Sequence, residues 1–175
     1  MDFRNLIDDR HSIRTFEARP VEHEKLERIL HAASRAPSAA NLQSYKIALV
    51  TSKERIEKLA ATKPQQTWIA TAPAILVFLG DPEPSTGKIS SEGQALYTVQ
   101  DGTIACAYAQ LAAADEGLGA CWIGTSTIWD QVRGVLGLPE TLRPVSMLAI
   151  GYAGGPPRSI TTRRPREEMV IEFEE

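Results

Sequence analysis

The chain has only two cysteines, Cys106 and Cys121. Neither belongs to a CxxC pair, and no Cys/His cluster has metal-ligand spacing, so a zinc site is excluded and two buried reduced thiols are expected. No excess of positive charge is present. The formal net charge of −3 argues against a general nucleic-acid binder but leaves room for a local basic pocket. No apolar run reaches the ~18 residues of a membrane span. The N-terminus, "MDFRNLIDDRHSIR", carries charges and no apolar stretch, so it is not a signal peptide, and a cytoplasmic protein is expected. No G-x-G-x-x-G follows a strand-like run, which leaves a resident dinucleotide site of that type without support. Repeats and composition breaks are also lacking. The 175 residues, 43% of them apolar, are expected to fold as one domain over 1–175.

Residues 23–35 place Leu26, Ile29, Leu30 and Ala33 on one helical face. That helix should stop before Pro37, which disfavours helix at Ala36, and the small polar residues that follow suit a loop. "YKIALVT", 45–51, reads as a strand, and Thr51 with Glu54 fits a capping box for a short helix carrying Ile56 and Leu59 inward. "APAILVFLG", 72–80, is a continuous apolar run, as expected of a strand buried on both faces. Residues 81–93, rich in Pro, Ser and Gly, form the best candidate for a surface loop. A long helix is predicted over 96–116, stopped by Gly117. Its middle is mostly small residues, which points to a central helix facing a partner subunit.

A strand over 119–125, a short helix over 128–137 capped by Thr127, and a strand over 144–153 follow. The segment after 153 is irregular until "EMVIEF", 168–173, which is strand-like. A strand at the end of such an arm, with few local partners, is expected to pair with another chain. This order fits a simple doubly wound sheet poorly.

Three segments carry the candidate chemistry: "RHSIRTF" at 10–16, "PSAANLQ" at 37–43, and Arg163 with Arg164. Two obligate cations and a hydroxyl within seven residues form either a solvated helix end or a grip on an anion. Trp68, Trp122 and Trp129 are expected to pack in the core or an interface rather than stack on a ligand.

Taken in order, "RHSIRTF", "APSAANLQ", "GLGACWIG" and "IGYAGGPP" with "TTRRPREEMV" resemble the nitroreductase family of FMN-dependent oxidoreductases across nearly the whole chain. The resemblance implies an α+β fold: a three-layer α/β/α sandwich on a mixed, mostly antiparallel sheet. It also implies an intertwined homodimer in which a C-terminal arm, 154–175, extends onto the partner. Arg10, Ser12 and Arg163 would bind the FMN phosphate, with Arg164 as the alternative to Arg163. Thr161 stands where many members place a second cation. Arg14 would stabilise charge at the pyrimidine edge, and His11 would contact the phosphate or ribityl chain or simply pack. Pro37, Ser38, Ala39 and Asn41 would complete the neighbouring subunit's site. Gln65 falls where an amide often faces the ribityl chain or pyrimidine. Ile123 and Gly124 fall where backbone N–H groups meet flavin N5.

The activity implied is hydride transfer from NAD(P)H through flavin N5 to a nitroaromatic, quinone or similar small acceptor by a ping-pong scheme. No catalytic side chain and no metal is required. The alternatives are a flavin-binding redox sensor with little turnover, a specialised reaction such as reductive dehalogenation or flavin destruction, and a dimeric structural domain without cofactor. For the specialised reactions, 81–93 is the only candidate lid.

Overall fold

A computed structural model describes residues 2–156 and 162–173. Its nine main elements are α1 (Phe3–Asp9), α2 (His23–Ser34), β1 (Tyr45–Val50), α3 (Lys53–Ala61), β2 (Ala74–Gly80), α4 (Ser91–Asp115), β3 (Gly119–Gly124), α5 (Trp129–Leu136) and β4 (Arg143–Gly151). The four strands form one sheet in the order β1-β2-β4-β3, and every pair is antiparallel. The parallel contribution is a single bridge, Ser12 to Ala120, which lays the N-terminal segment against the outer edge of β3.

The sequence periodicities account for this arrangement. β2 and β4 occupy the interior of the sheet, and all seven residues of β2 are buried. That is why 72–80 reads as an unbroken apolar run rather than an alternating one. One face of the sheet packs Ile75, Val77, Cys121, Ile123 and Met147 against α3, α5 and a 3-10 turn at Thr67–Thr71. The other packs Leu76, Phe78, Leu148 and Ile150 against α2 and α4. The three-layer α/β/α sandwich implied by the resemblance is therefore present.

Several expectations require correction. α4 begins at Ser91, not 96, because Ser90 accepts a hydrogen bond from the Gly93 amide at 3.2 Å and caps the helix. Residues 81–90 are accordingly a short, partly ordered connection with a 3-10 turn at Glu83–Ser85, and Asp81 and Ser85 are buried. One face of the small residues of α4 packs within this chain: Ala105, Cys106, Ala109 and Ala113 are all fully buried in its core. They let the helix lie close over its own sheet.

The Thr51–Glu54 capping box does not form. α3 starts after Ser52 without a side-chain cap, and α5 starts after Ile128 rather than Thr127. The expected strand at 168–173 is a 3-10 turn at Arg166–Glu168 followed by exposed coil, since within one chain it has no strand to pair with. α1 escaped the periodicity argument because it buries only Leu6. Both cysteines are free and buried, as expected. Among the described residues no helix is long and apolar enough to cross a membrane.

Candidate functional site

The segment that follows α1 is fixed by backbone hydrogen bonds at both ends. The Ile13 amide donates to the Ala120 carbonyl at 3.0 Å, and Glu17 donates to Tyr152 at 3.0 Å. Gly154 returns a bond to the Thr15 carbonyl at 2.8 Å. Ile13 and Phe16 point into the core, so Arg10, Ser12 and Arg14 are left half-exposed beside β3. Their convergence shows on Cys121. Burial pushes that thiol above its ordinary value, while the Arg14 guanidinium, the Ser12 hydroxyl and Arg10 all pull against it. Two cations and a hydroxyl donor thus lie within one short segment bridged to β3 at Ala120, a donor set suited to an anionic oxygen ligand.

His11 Nδ1 lies 2.7 Å from the Asp9 carbonyl. A carbonyl only accepts, so Nδ1 carries the proton. A cavity of about 220 Å³ opens beneath Arg10 and His11, floored by Ile13, Leu118, Gly119 and Ala120. Ile123 is buried and Gly124 is exposed at the end of β3. A Cβ built on Gly124 would meet nothing within 4 Å. Folding of this chain therefore makes no demand for glycine there, and the open space beside its backbone is free for a ligand.

The 37–43 loop lies at the opposite edge of the sheet, leading into β1. Four interstrand steps of about 4.8 Å separate β1 from the Ser12 segment, roughly 19 Å. The loop holds an unusual shape: Ala40, Asn41 and Gln43 have positive φ of 49°, 56° and 49°. For a residue with a Cβ this costs on the order of 1 kcal/mol each, least for Asn. Ser38 Oγ accepts from the Gln43 amide at 3.0 Å. The buried carboxylate of Asp101 accepts from the amides of Ala39, at 2.9 Å, and Ser44, at 3.2 Å. Pro37 and Asn41 are exposed, and Ser38 and Ala39 are half-buried.

The remaining candidates lie on the surface of this chain. Gln65 is exposed on the turn after α3. Arg163 and Arg164 are exposed, with Arg163 donating to the Thr162 carbonyl at 3.3 Å. Thr161 lies outside the described residues. Trp68 packs on Phe16 in the core, and Trp129 lies under the Arg143 guanidinium, 3.8 Å from its ring centroid.

A family model described as Nitroreductase family matches residues 7–66 and 58–152. The chain belongs to the nitroreductase family. The FMN reductase (NAD(P)H) of Bacillus subtilis strain 168 is 32% identical to this nitroreductase over 180 residues, covering 91% of this chain and 68% of its own. An FMN-dependent nitroreductase from Clostridium difficile R20291 superimposes with a TM-score of 0.84 at 25% identity, over 98% of this chain and 99% of its own. The NADPH:FMN oxidoreductase of Vibrio harveyi, solved as a complex with NAD+, gives a TM-score of 0.88 at 28% identity, over 98% and 77%.

Two features of this nitroreductase escaped the sequence. Asp101 sits in "YTVQDGTIACAY", and a lone acid in a small, apolar helical stretch was the available signal. The second is a four-residue cluster where the arginine-bearing segment leaves the sheet. Tyr152 donates to Glu22 at 2.7 Å, and the Arg19 guanidinium lies over its ring at 3.8 Å. Lys25 reaches the same ring at 5.3 Å.

The Tyr152 hydroxyl is the main reason the Glu22 carboxyl drops from 4.5 to about 2. A depressed carboxyl adds stability that is present above its unfolded value and is lost as pH falls through the folded one. The melting-temperature gap between wild type and Tyr152→Phe is therefore expected to be largest near neutrality and to close between pH 4.5 and about 2. A gap that stays constant with pH would remove Glu22 from that account.

Proposed function

We propose that this nitroreductase is a homodimeric, FMN-dependent oxidoreductase. It would draw hydride from NAD(P)H and pass it to a nitroaromatic, quinone or similar small acceptor in two half-reactions. The observation that carries this is the split site. A cationic half on the β3 edge and a strained covering loop on the β1 edge lie too far apart to meet within one chain. Two copies would join them, the 37–43 loop of each closing over the arginine segment of the other. Phe3 and Ile7 on α1, Leu96 and Tyr108 on α4, and Ile171 and Phe173 in the tail all stand exposed, which supports a covering subunit.

The residues fit FMN on their chemistry. Arg10 and Ser12 would hold the phosphate, with Arg163 or Arg164 of the C-terminal arm, 154–175, reaching across the dimer. Guanidinium forks bind phosphate oxygens bidentately. His11 would offer its other ring nitrogen to a ribityl hydroxyl. Arg14 would place a fixed charge at the pyrimidine edge. The Gly124 backbone, with no side chain in the way, would approach the ring beside Ile123. Pro37, Ser38, Ala39 and Asn41 would limit water from the partner's side. Gln65 would contribute an amide from the turn after α3. When bound, FMN supplies the hydride acceptor and donor of the reaction at its N5, so no side-chain nucleophile is called for.

The purified protein is expected to show a flavin absorption spectrum with one FMN per chain and the solution mass of a dimer. Anaerobic NADH or NADPH should bleach that spectrum, and a quinone or nitroaromatic should restore it. A colourless protein that takes up no added FMN would refute the proposal. Bleaching without reoxidation by either acceptor would favour a redox sensor instead.

A further inference from the structure

We propose that Asp101 is a positioning residue for the flavin site, holding the covering loop in the shape that closes over the partner's cofactor. The inference rests on the function proposed above. Asp101 is 1% exposed in the first half of α4, and among the described residues no lysine or arginine pairs with it. A carboxylate is costly to bury without hydrogen bonds, and core packing at this position would be served by an alanine. What it has instead is two backbone amides, Ala39 at 2.9 Å and Ser44 at 3.2 Å, one on each of its oxygens.

Those amides bracket the strained stretch. Within it, Asn41 donates to the Ser38 carbonyl, Leu42 to Ala39, and Gln43 to Ser38 Oγ. The loop's internal bonds leave Ala39 and Ser44 unserved, and the carboxylate takes both. Ser44 is pinned again where Asp81 donates to its carbonyl at 3.0 Å. Backbone in the left-handed region at Ala40, Asn41 and Gln43 persists only where the surroundings fix it, and one rigid helix supplies that fixing through one side chain. An acceptor-only group is required. In Asp101→Asn one of the two positions becomes an NH₂ facing an N–H, and the loop loses an anchor.

The test uses full-length dimer. In wild-type apoprotein, the Ala39 and Ser44 amides should exchange hydrogen with the slow class of α4. In Asp101→Asn at least one should exchange tenfold faster or more, and the FMN dissociation constant should rise at least tenfold, with the solution mass unchanged. Adding Ala40→Gly to Asp101→Asn should recover at least threefold of that affinity, because glycine adopts this φ without penalty. General weakening of the core would not be repaired this way. An FMN affinity within twofold of wild type in Asp101→Asn, or no recovery with Ala40→Gly, overturns the proposal. Should Asp101→Asn not fold, fast exchange at Ala39 and Ser44 in wild type would overturn it, and slow exchange there would support it. A wild type that binds no FMN refutes the proposed function, and the amide rates then decide whether Asp101 holds the loop.

Discussion

Gly119→Ala is expected to lower stability by about 1–3 kcal/mol, in the range of overpacking substitutions, and to weaken FMN binding with it. A Cβ on Gly119 would lie 2.7 Å from Ile13 Cβ and 2.8 Å from both of its γ carbons. Those atoms are not the tip of a flexible chain. The β-branched side chain is stiff at χ1, so relief requires Ile13 itself to move. Ile13 is buried and its amide is hydrogen-bonded to Ala120. Moving it lifts the segment that carries Arg10, Ser12 and Arg14 off the β3 edge. For a chain of this length the melting temperature should fall by about 2–4 °C per kcal/mol. The mechanism is checked by a double-mutant cycle with Ile13→Gly, which removes the Cβ facing Gly119, measured by thermal and urea unfolding. The two changes should be less harmful together than their sum, with a coupling of about 1 kcal/mol. Strict additivity would show that the glycine is not there for the close approach of Ile13.

That contact also shows where sequence reasoning ends. The helix at His23–Ser34, the strands at Tyr45–Val50 and Ala74–Gly80, and the stop at Gly117 were legible because each is written in local periodicity or in a residue with special backbone freedom. Gly119 carries no such local mark. Its requirement comes from a residue more than a hundred positions earlier, through a parallel bridge that no hairpin logic announces. Ser90 displaced the expected helix start because a capping hydroxyl outweighs the turn-like composition around it. The tail is coil within one chain for the opposite reason. "EMVIEF" has strand composition, yet a strand is a pairing rather than a composition, and no partner stands beside it in one chain. The candidate site divides the same way. Residue types at 10–14 and 37–43 could be read, while their placement on opposite edges of the sheet could not. That placement follows from the order β1-β2-β4-β3, which inserts β4 between strands earlier in the chain.

Arg14→Ala is expected to raise the FMN dissociation constant by about 10–100-fold, since a hydrogen bond to a charged group contributes about 1.5–3 kcal/mol. It should also shift the flavin midpoint potential to a more negative value. Arg14 is chosen over Arg10 because Arg10 lines the cavity under α1 and Arg14 does not. From that cavity Arg10 would, in the proposed site, serve the phosphate end. A fixed cation near the ring favours the form with more negative charge, so its loss penalises reduction and binding together. Arg14→Lys separates the two effects. It keeps the charge and so should keep most of the potential, while losing the planar fork and part of the affinity. Arg10→Ala should weaken binding with little change in potential, because a phosphate contact is made equally in both redox states. Were Arg14→Ala to leave affinity and potential at wild-type values, the charge at the pyrimidine edge would have to come from elsewhere. The exposed Arg163 or Arg164 of a second subunit would then be the groups to remove next.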